Sequence, residues 1–125
     1  VDVLPTMCDY AGIMPPAGTS GMSLRPLIED PGLPGRPYVV SELQPDPKDL
    51  RKKGRMLRTA QYKYVAFSEG RNPEMLFDLE VDPGETRSLI EDREHRSHLE
   101  AHRHLLMRWV QETADEFVVP TSLNA

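Results

Sequence analysis

The chain has 125 residues, enough for one domain's core, and carries 20 acidic against 15 basic side chains for a net charge of -5. That balance withholds the basic field that draws nucleic acid or anionic lipid, and no apolar run approaches the ~20 residues of a membrane-spanning helix. A single cysteine, Cys8, excludes an internal disulfide framework and a multi-cysteine zinc site.

The chain opens at Val1 on "VDVLPTMCDYAGI", which reads as a helix already under way, and the expectation is a fragment or processed product. Asp2 is placed to cap a helix from about Val3, with Leu4, Met7, Cys8 and Ala11 at helical spacing and Gly12 to end it. Nine of the twelve prolines fall at or before Pro47, so the first third is expected to be turns and extended connections around short helices. "GTSGMSLRPLIED" offers a second short helical turn with Leu24, Leu27 and Ile28 as its apolar side.

From Pro37 the period changes to two. "PYVVSEL", "RMLRTAQ", "YKYVAFS" and "EMLFDLEV" alternate β-branched or aromatic residues with polar ones between turn signals, which predicts four antiparallel strands. In the last of these, Phe77, Leu79 and Val81 should face one way and Asp78, Glu80 and Asp82 the other. After the turn at Asp82-Pro83-Gly84-Glu85, Asp92 is expected to cap a long helix over about Arg93 to Phe117. Its apolar stripe, Leu99, Leu106, Trp109, Val110, Thr113 and Phe117, needs a sheet to cover. The predicted class is α+β: a four-stranded antiparallel sheet packed against a long C-terminal helix, with a short N-terminal helix and Pro-rich connections.

Several clusters invite a chemical reading. Asp78, Glu80 and Asp82 occupy the first, third and fifth places of a calcium loop, but its sixth place is Pro83 and its twelfth Leu89, so the turn glycine and bidentate glutamate are missing. His95, His98 and His102 are spaced by three and four, as zinc ligands on a helix can be. In "HLEAH", however, Glu100 stands two places after His98 instead of next to it, and a solvated face with Arg96–Glu100 or Glu100–His104 pairs is the simpler reading. No metal site is expected. Cys8 sits at an apolar helical position with no histidine near in sequence, as a buried structural thiol does. Ser20, Ser23 and Ser41 lack a G-x-S-x-G elbow, and "GTSG" lacks the lysine of a phosphate loop. The basic run "KDLRKKGRMLR" contains no aromatic residue to stack a base and reads as a solvated loop. Tyr62 and Tyr64 share a strand face with Lys63 opposed; they suit stacking on a sugar beside an anion-binding lysine, or plain sheet packing.

The order and spacing of "DVLPTMCDYAGI", "GMSLRPLIED", "RPYVVSEL", "RTAQYKYV" and "LFDLEVDPGE", followed by a helix with a tryptophan, resemble the C-terminal part of a sulfatase from about Val1 to Trp109. The resemblance implies a parent enzyme of the alkaline-phosphatase-like type. In such enzymes a large N-terminal domain holds a formylglycine made from a C/S-x-P-x-R motif, with a calcium ion that polarises the sulfate. Cys8 is followed by Asp9-Tyr10-Ala11, so the nucleophile's role does not carry over to it. By the same resemblance, residues 1–36 correspond to the end of the catalytic domain and its connection, and 37–125 to the C-terminal subdomain. Catalytic residues are expected to be absent from this chain, with calcium in the missing domain. Arg58 and Lys63 are the candidates for the substrate rim. Expected partners are the missing catalytic domain and a homo-oligomer of the fragment, and exported, periplasmic or lysosomal relatives are common. The rival reading is a free-standing, non-catalytic module that binds an anionic carbohydrate or a protein through Arg58, Lys63 and the loop from Gln44 to Gly54.

Overall fold

The computed structural model describes residues 1–120; the last five residues of the 37–125 segment lie outside the described residues. Two compact units emerge, Val1–Arg36 and Pro37–Ala125.

In the first unit, α1 (Val3–Ala11) stops at Gly12, whose left-handed backbone (φ 70°, ψ 27°) lets its N–H bond back to the last turn of the helix. Asp2 precedes the helix without capping it through its side chain. Its carboxylate is diverted to Met22 N, at 2.9 Å, and to the guanidinium of Arg36. Thr6 Oγ1 donates to Asp2 O at 2.6 Å and accepts from Leu24 N at 2.8 Å, while Ser23 donates to Asp9. These polar clamps tie α1 to α2 (Arg25–Glu29). Gly21 is required by close approach, since a Cβ there would lie 2.1 Å from Val1 O. Pro5 and Cys8 are the buried residues of α1, whereas Leu4, Met7 and Ala11 of the expected stripe are exposed. Cys8 is a buried free thiol, as its apolar position suggests.

The second unit holds β1 (Val39–Leu43), β2 (Gly54–Arg58), β3 (Tyr62–Phe67), β4 (Glu74–Asp78) and α3 (Arg96–Thr113). The strands form an antiparallel sheet in the order β1-β2-β3-β4. Leu57, Tyr64 and Leu76 are cross-strand neighbours, and with Tyr62, Ala66, Leu99, Leu106, Phe117 and Val119 they make one buried cluster between sheet and helix. The α+β expectation therefore holds, with three local corrections.

First, β4 ends at Asp78 and does not run on to Val81. Asp78 Oδ1 accepts from Glu80 N at 3.0 Å, and Asp82 N bonds to Asp78 O, so the carboxylate turns the chain instead of lining a wet strand face. Second, α3 begins at Arg96 because Asp92 accepts from Glu94 N and closes a separate turn before the helix. Third, α3 stops at Thr113, where Ala114 takes a left-handed conformation (φ 53°). Phe117 reaches the core from the extended segment beyond, not from the helix.

Two arginines are buried within this unit. Arg103 grips Glu74 through Nε (2.7 Å) and Nη2, the Tyr64 hydroxyl donates to the same carboxylate, and Arg103 Nη1 reaches Glu100 at 2.8 Å. Burial, with the Glu74 carboxylate, pushes the Tyr64 phenol far up; the hydrogen bond to Glu74 raises the Arg103 guanidinium. Arg55 meets Asp115 in a fork of bonds at 2.8–3.0 Å and lies over the Phe117 ring, 5.2 Å from its centroid. Each buried cation thus has a carboxylate partner.

Candidate functional site

Strand alternation places the two sequence candidates side by side. Arg58 and Lys63 are directly opposed across β2 and β3, in a row that continues to Val39 on one side and Phe77 on the other, on the face away from α3. The hairpin that brings them together turns over Ala60 and Gln61. Thr59 N donates to Tyr62 O at 2.9 Å and Tyr62 N donates to Thr59 Oγ1 at 3.1 Å. Two like charges directly opposed repel. Glu85 relieves this, accepting from Lys63 Nζ at 2.6 Å, while no ion pair forms at Arg58 among the described residues. The pair retains one uncompensated positive charge. It can attract an oxyanion, but it offers no nucleophile and no base.

Tyr62 and Tyr64, one residue either side of Lys63, are both buried against α3, so neither ring is presented to a ligand. Tyr62 instead organises the histidines. His98 stacks on its ring at 4.5 Å between centroids, and His102 and His95 meet it edge-on at 5.6 and 6.3 Å. His102 is buried, correcting the expectation of a solvated face. Its Nδ1 lies 2.7 Å from His98 O and its Nε2 lies 3.3 Å from Thr59 Oγ1. Burial pushes its pKa below the ordinary imidazole value. His95 Nδ1 lies 3.3 Å from Asp92 Oδ2 but is not aligned for a hydrogen bond. The expected Arg96–Glu100 pair is present at 3.3 Å, while Arg103 takes the second bond of Glu100. Among the described residues, no three histidine, cysteine, aspartate or glutamate side chains are grouped to hold a metal ion.

Asp78 and Asp82, which occupy calcium-loop places in the sequence, are both held low by backbone bonds. Burial raises the Asp78 carboxyl, but bonds from Glu80 N, the Gln61 side chain (2.9 Å) and Val81 N outweigh it, and the net shift is downward. Asp82 is held low chiefly by the N–H groups of Arg87 and Thr86. Both are turn-forming acceptors.

The loop between β1 and β2 is built around Gln44, whose Nε2 is surrounded by the carbonyls of Asp46, Asp49 and Lys52 at 2.9–3.0 Å. Its cations are largely consumed locally: Arg51 binds Asp49 at 2.9 Å, Lys52 binds Asp46 at 3.3 Å and Lys53 reaches Glu116 at 3.4 Å. An open cleft of about 730 Å³, lined by Leu50, Phe67, Pro73 and Val118 among others, lies beside it. What the sequence does not disclose is that Arg55 and Arg103 are buried, Arg55 on Asp115 and Arg103 on Glu74. The one available signal was their position on the core-facing side of a strand and a helix.

Residues 1–112 match the family model described as N-sulphoglucosamine sulphohydrolase, C-terminal. The chain is 39% identical over 118 residues to a Delta 4,5-hexuronate-2-O-sulfatase of Bacteroides thetaiotaomicron, covering 94% of this chain and 24% of that protein. It is 37% identical over 97 residues to arylsulfatase K of Rattus norvegicus, covering 71% of this chain and 17% of that enzyme. Among solved structures, a 2-O GAG sulfatase superposes with a TM-score of 0.79 at 38% identity, over 97% of this chain and 27% of that one. The chain spans about a quarter or less of the length of these relatives. With its antiparallel sheet, its closing helix and a family match that runs nearly end to end, the chain belongs to the sulfatase C-terminal domain family.

Proposed function

We propose that this chain is the C-terminal part of a sulfatase acting on a sulfated sugar, where it supports the catalytic domain and borders the substrate cleft without supplying the reacting groups. The observation that carries this reading is the apolar surface of the first unit. Val3, Leu4, Met7, Tyr10, Ile13 and Met14 are all exposed within two turns of helix and its exit. Leaving such a surface in water is unfavourable by about 25 cal/mol for each Å² of apolar area, and contiguous exposure on this scale marks a surface made to be covered. Residues 1–36 then form the end of the large domain, and residues 37–125 the C-terminal subdomain.

In this reading a formylglycine and a calcium ion in the catalytic domain supply the sulfate chemistry. No residue of this chain is assigned to hold the calcium. The substrate class follows from the hexuronate sulfatase relative, and the contribution of Arg58 and Lys63 is to draw an anionic saccharide toward the rim by charge. The 125-residue chain with an aryl sulfate and calcium should show no turnover; turnover by the purified chain overturns the proposal. In an enzyme carrying this chain, Arg58→Ala and Lys63→Ala should raise KM for an anionic saccharide about three- to tenfold with kcat little changed, the pattern of lost uniform binding. An aryl sulfate with no charge beyond the sulfate ester itself should not register either change. Equal loss with both substrates would remove these residues from the rim.

A further inference from the structure

Strand β1 closes the sheet on one side, and the bonds of β2 to β3 fix its hydrogen-bonding phase. Thr59 N donates to Tyr62 O and Ser68 N donates to Lys53 O, so the odd-numbered residues of β2 turn their backbone groups toward β3. Gly54, Met56 and Arg58 must then bond to their β1 partners Leu43, Ser41 and Val39. The N–H and C=O groups of Val40 and Glu42 are left pointing outward, and no backbone bond satisfies them among the described residues. Val39 and Leu43, on the face away from α3, are 48% and 38% exposed. The opposite side of the sheet is not free in the same way, because Leu89 N bonds to Leu76 O along β4 at 2.7 Å.

We propose that β1 docks a second copy of this chain, the two sheets joining antiparallel about a two-fold axis at Ser41 to give one continuous eight-stranded sheet. In that register Val40 lies opposite the partner's Glu42, and their outward groups exchange four N–H···O bonds in all. On the outer face Val39 stacks on the partner's Leu43, twice, with the two Ser41 side chains between. Each Glu42 faces a valine and stays beside its own Arg55, at 3.5 Å. Moving the axis to Glu42 sets two glutamates directly opposite. Moving it to Val40 sets Leu43 against Pro37 and Val39 against Ser41, and breaks the Val39–Leu43 pairs. Pro37 and Pro45 bound the strand. A two-fold contact closes, so it gives a dimer and not a fibre. A single strand pair covers far less than the roughly 1,200 Å² of a stable interface, so the dimer is reversible and concentration-dependent. This inference is independent of the sulfatase reading above.

The test uses the 125-residue chain. Residues opposed at a non-hydrogen-bonded antiparallel position have Cα atoms about 4.5 Å apart, within disulfide range. Ser41→Cys should therefore form a covalent dimer under mild oxidation at least tenfold faster than Glu94→Cys, an exposed thiol elsewhere on the same unit. Adding Glu42→Pro, which removes an outward N–H that β2 does not use, should abolish that advantage while Trp109 fluorescence reports an intact fold. Sedimentation equilibrium up to about 1 mM chain, where even a Kd of that order is visible, should show mass rising toward the dimer. Val39→Lys with Leu43→Lys should return it to monomer; Val39→Lys with Leu43→Glu should restore it through two cross-axis ion pairs. This exchange decides the matter if Glu42→Pro fails to fold. Equal cross-linking of the two cysteine variants, a monomer at every concentration, or an association indifferent to the charge exchange would each overturn the proposal.

Discussion

The two units bury different things. In Val1–Arg36 little is buried beyond Pro5 and Cys8, and the half-buried side chains of Asp2, Thr6 and Asp9 grip backbone and hydroxyl groups, while the large apolar side chains of α1 lie outside. Pro37–Ala125 has the opposite order: a closed apolar cluster in which two arginines and their carboxylates are embedded. The first unit is held by a few directional bonds, each worth about 1 kcal/mol net. The second is held by burial, and its polar members matter because they would be costly to leave alone.

The sharpest way to break this contrast is Glu74→Ala. It leaves Arg103 in the core with only the half-exposed Glu100 and takes the acceptor from the Tyr64 hydroxyl, so about 3 kcal/mol should be lost, read as a fall in the urea midpoint of the second unit. Glu74→Gln keeps an acceptor for both donors and should lose less. A loss no larger than that of a surface change would show that water reaches the pair. In the first unit Asp2→Ala removes bonds from Met22 N and Arg36, but the carboxylate is partly solvated and its loss should cost about 1 kcal/mol. The comparison thus predicts a several-fold ratio between the two substitutions.

An intermediate effect comes from pH. His102 is buried with a folded-state pKa below its unfolded value, so protonation favours the unfolded chain. Its contribution is complete above the ordinary imidazole value of about 6.5 and is lost as pH falls from there through the folded-state pKa. His102→Gln should flatten the stability profile over that window. A parallel profile in the variant would assign the slope to other groups.

The sheet was legible because alternation in "YKYVAF" and "EMLFD" reports burial directly, and β3 and β4 lie where that pattern puts them. The ends of the elements were not. Phe117 fits the helical stripe by spacing, but no local residue announces that Ala114 turns left-handed and delivers it from an extended segment. The histidines misled for a related reason. A polar residue every third or fourth position reads as a wet face, and only the sheet's position shows that Tyr62 lies beneath His98 and His102. Arg58 and Lys63 could be placed on one strand face by parity, but the carboxylate that neutralises one of them arrives from a turn 22 residues further on.

That turn yields the smallest effect and the finest test. In Asp82-Pro83-Gly84-Glu85, the residue with positive φ is Glu85, at 54°, although a glycine sits beside it. A left-handed conformation costs a residue other than glycine roughly 1 kcal/mol, and Glu85 adopts it while Lys63 Nζ holds its carboxylate at 2.6 Å. The ion pair is about one-third exposed on the glutamate side and contributes about 0.5 kcal/mol after solvent screening. Glu85→Ala keeps the strain and loses the pair, so stability should fall by about 0.5 kcal/mol. Glu85→Gly loses the pair and relieves the strain, though it frees the unfolded chain, and should leave the urea midpoint close to the parent. If the glycine variant is the less stable of the two, the freedom it gives the unfolded chain outweighs the strain it relieves. In either variant Arg58 and Lys63 stand as two uncompensated cations on the outer face, with a correspondingly stronger pull on an anion.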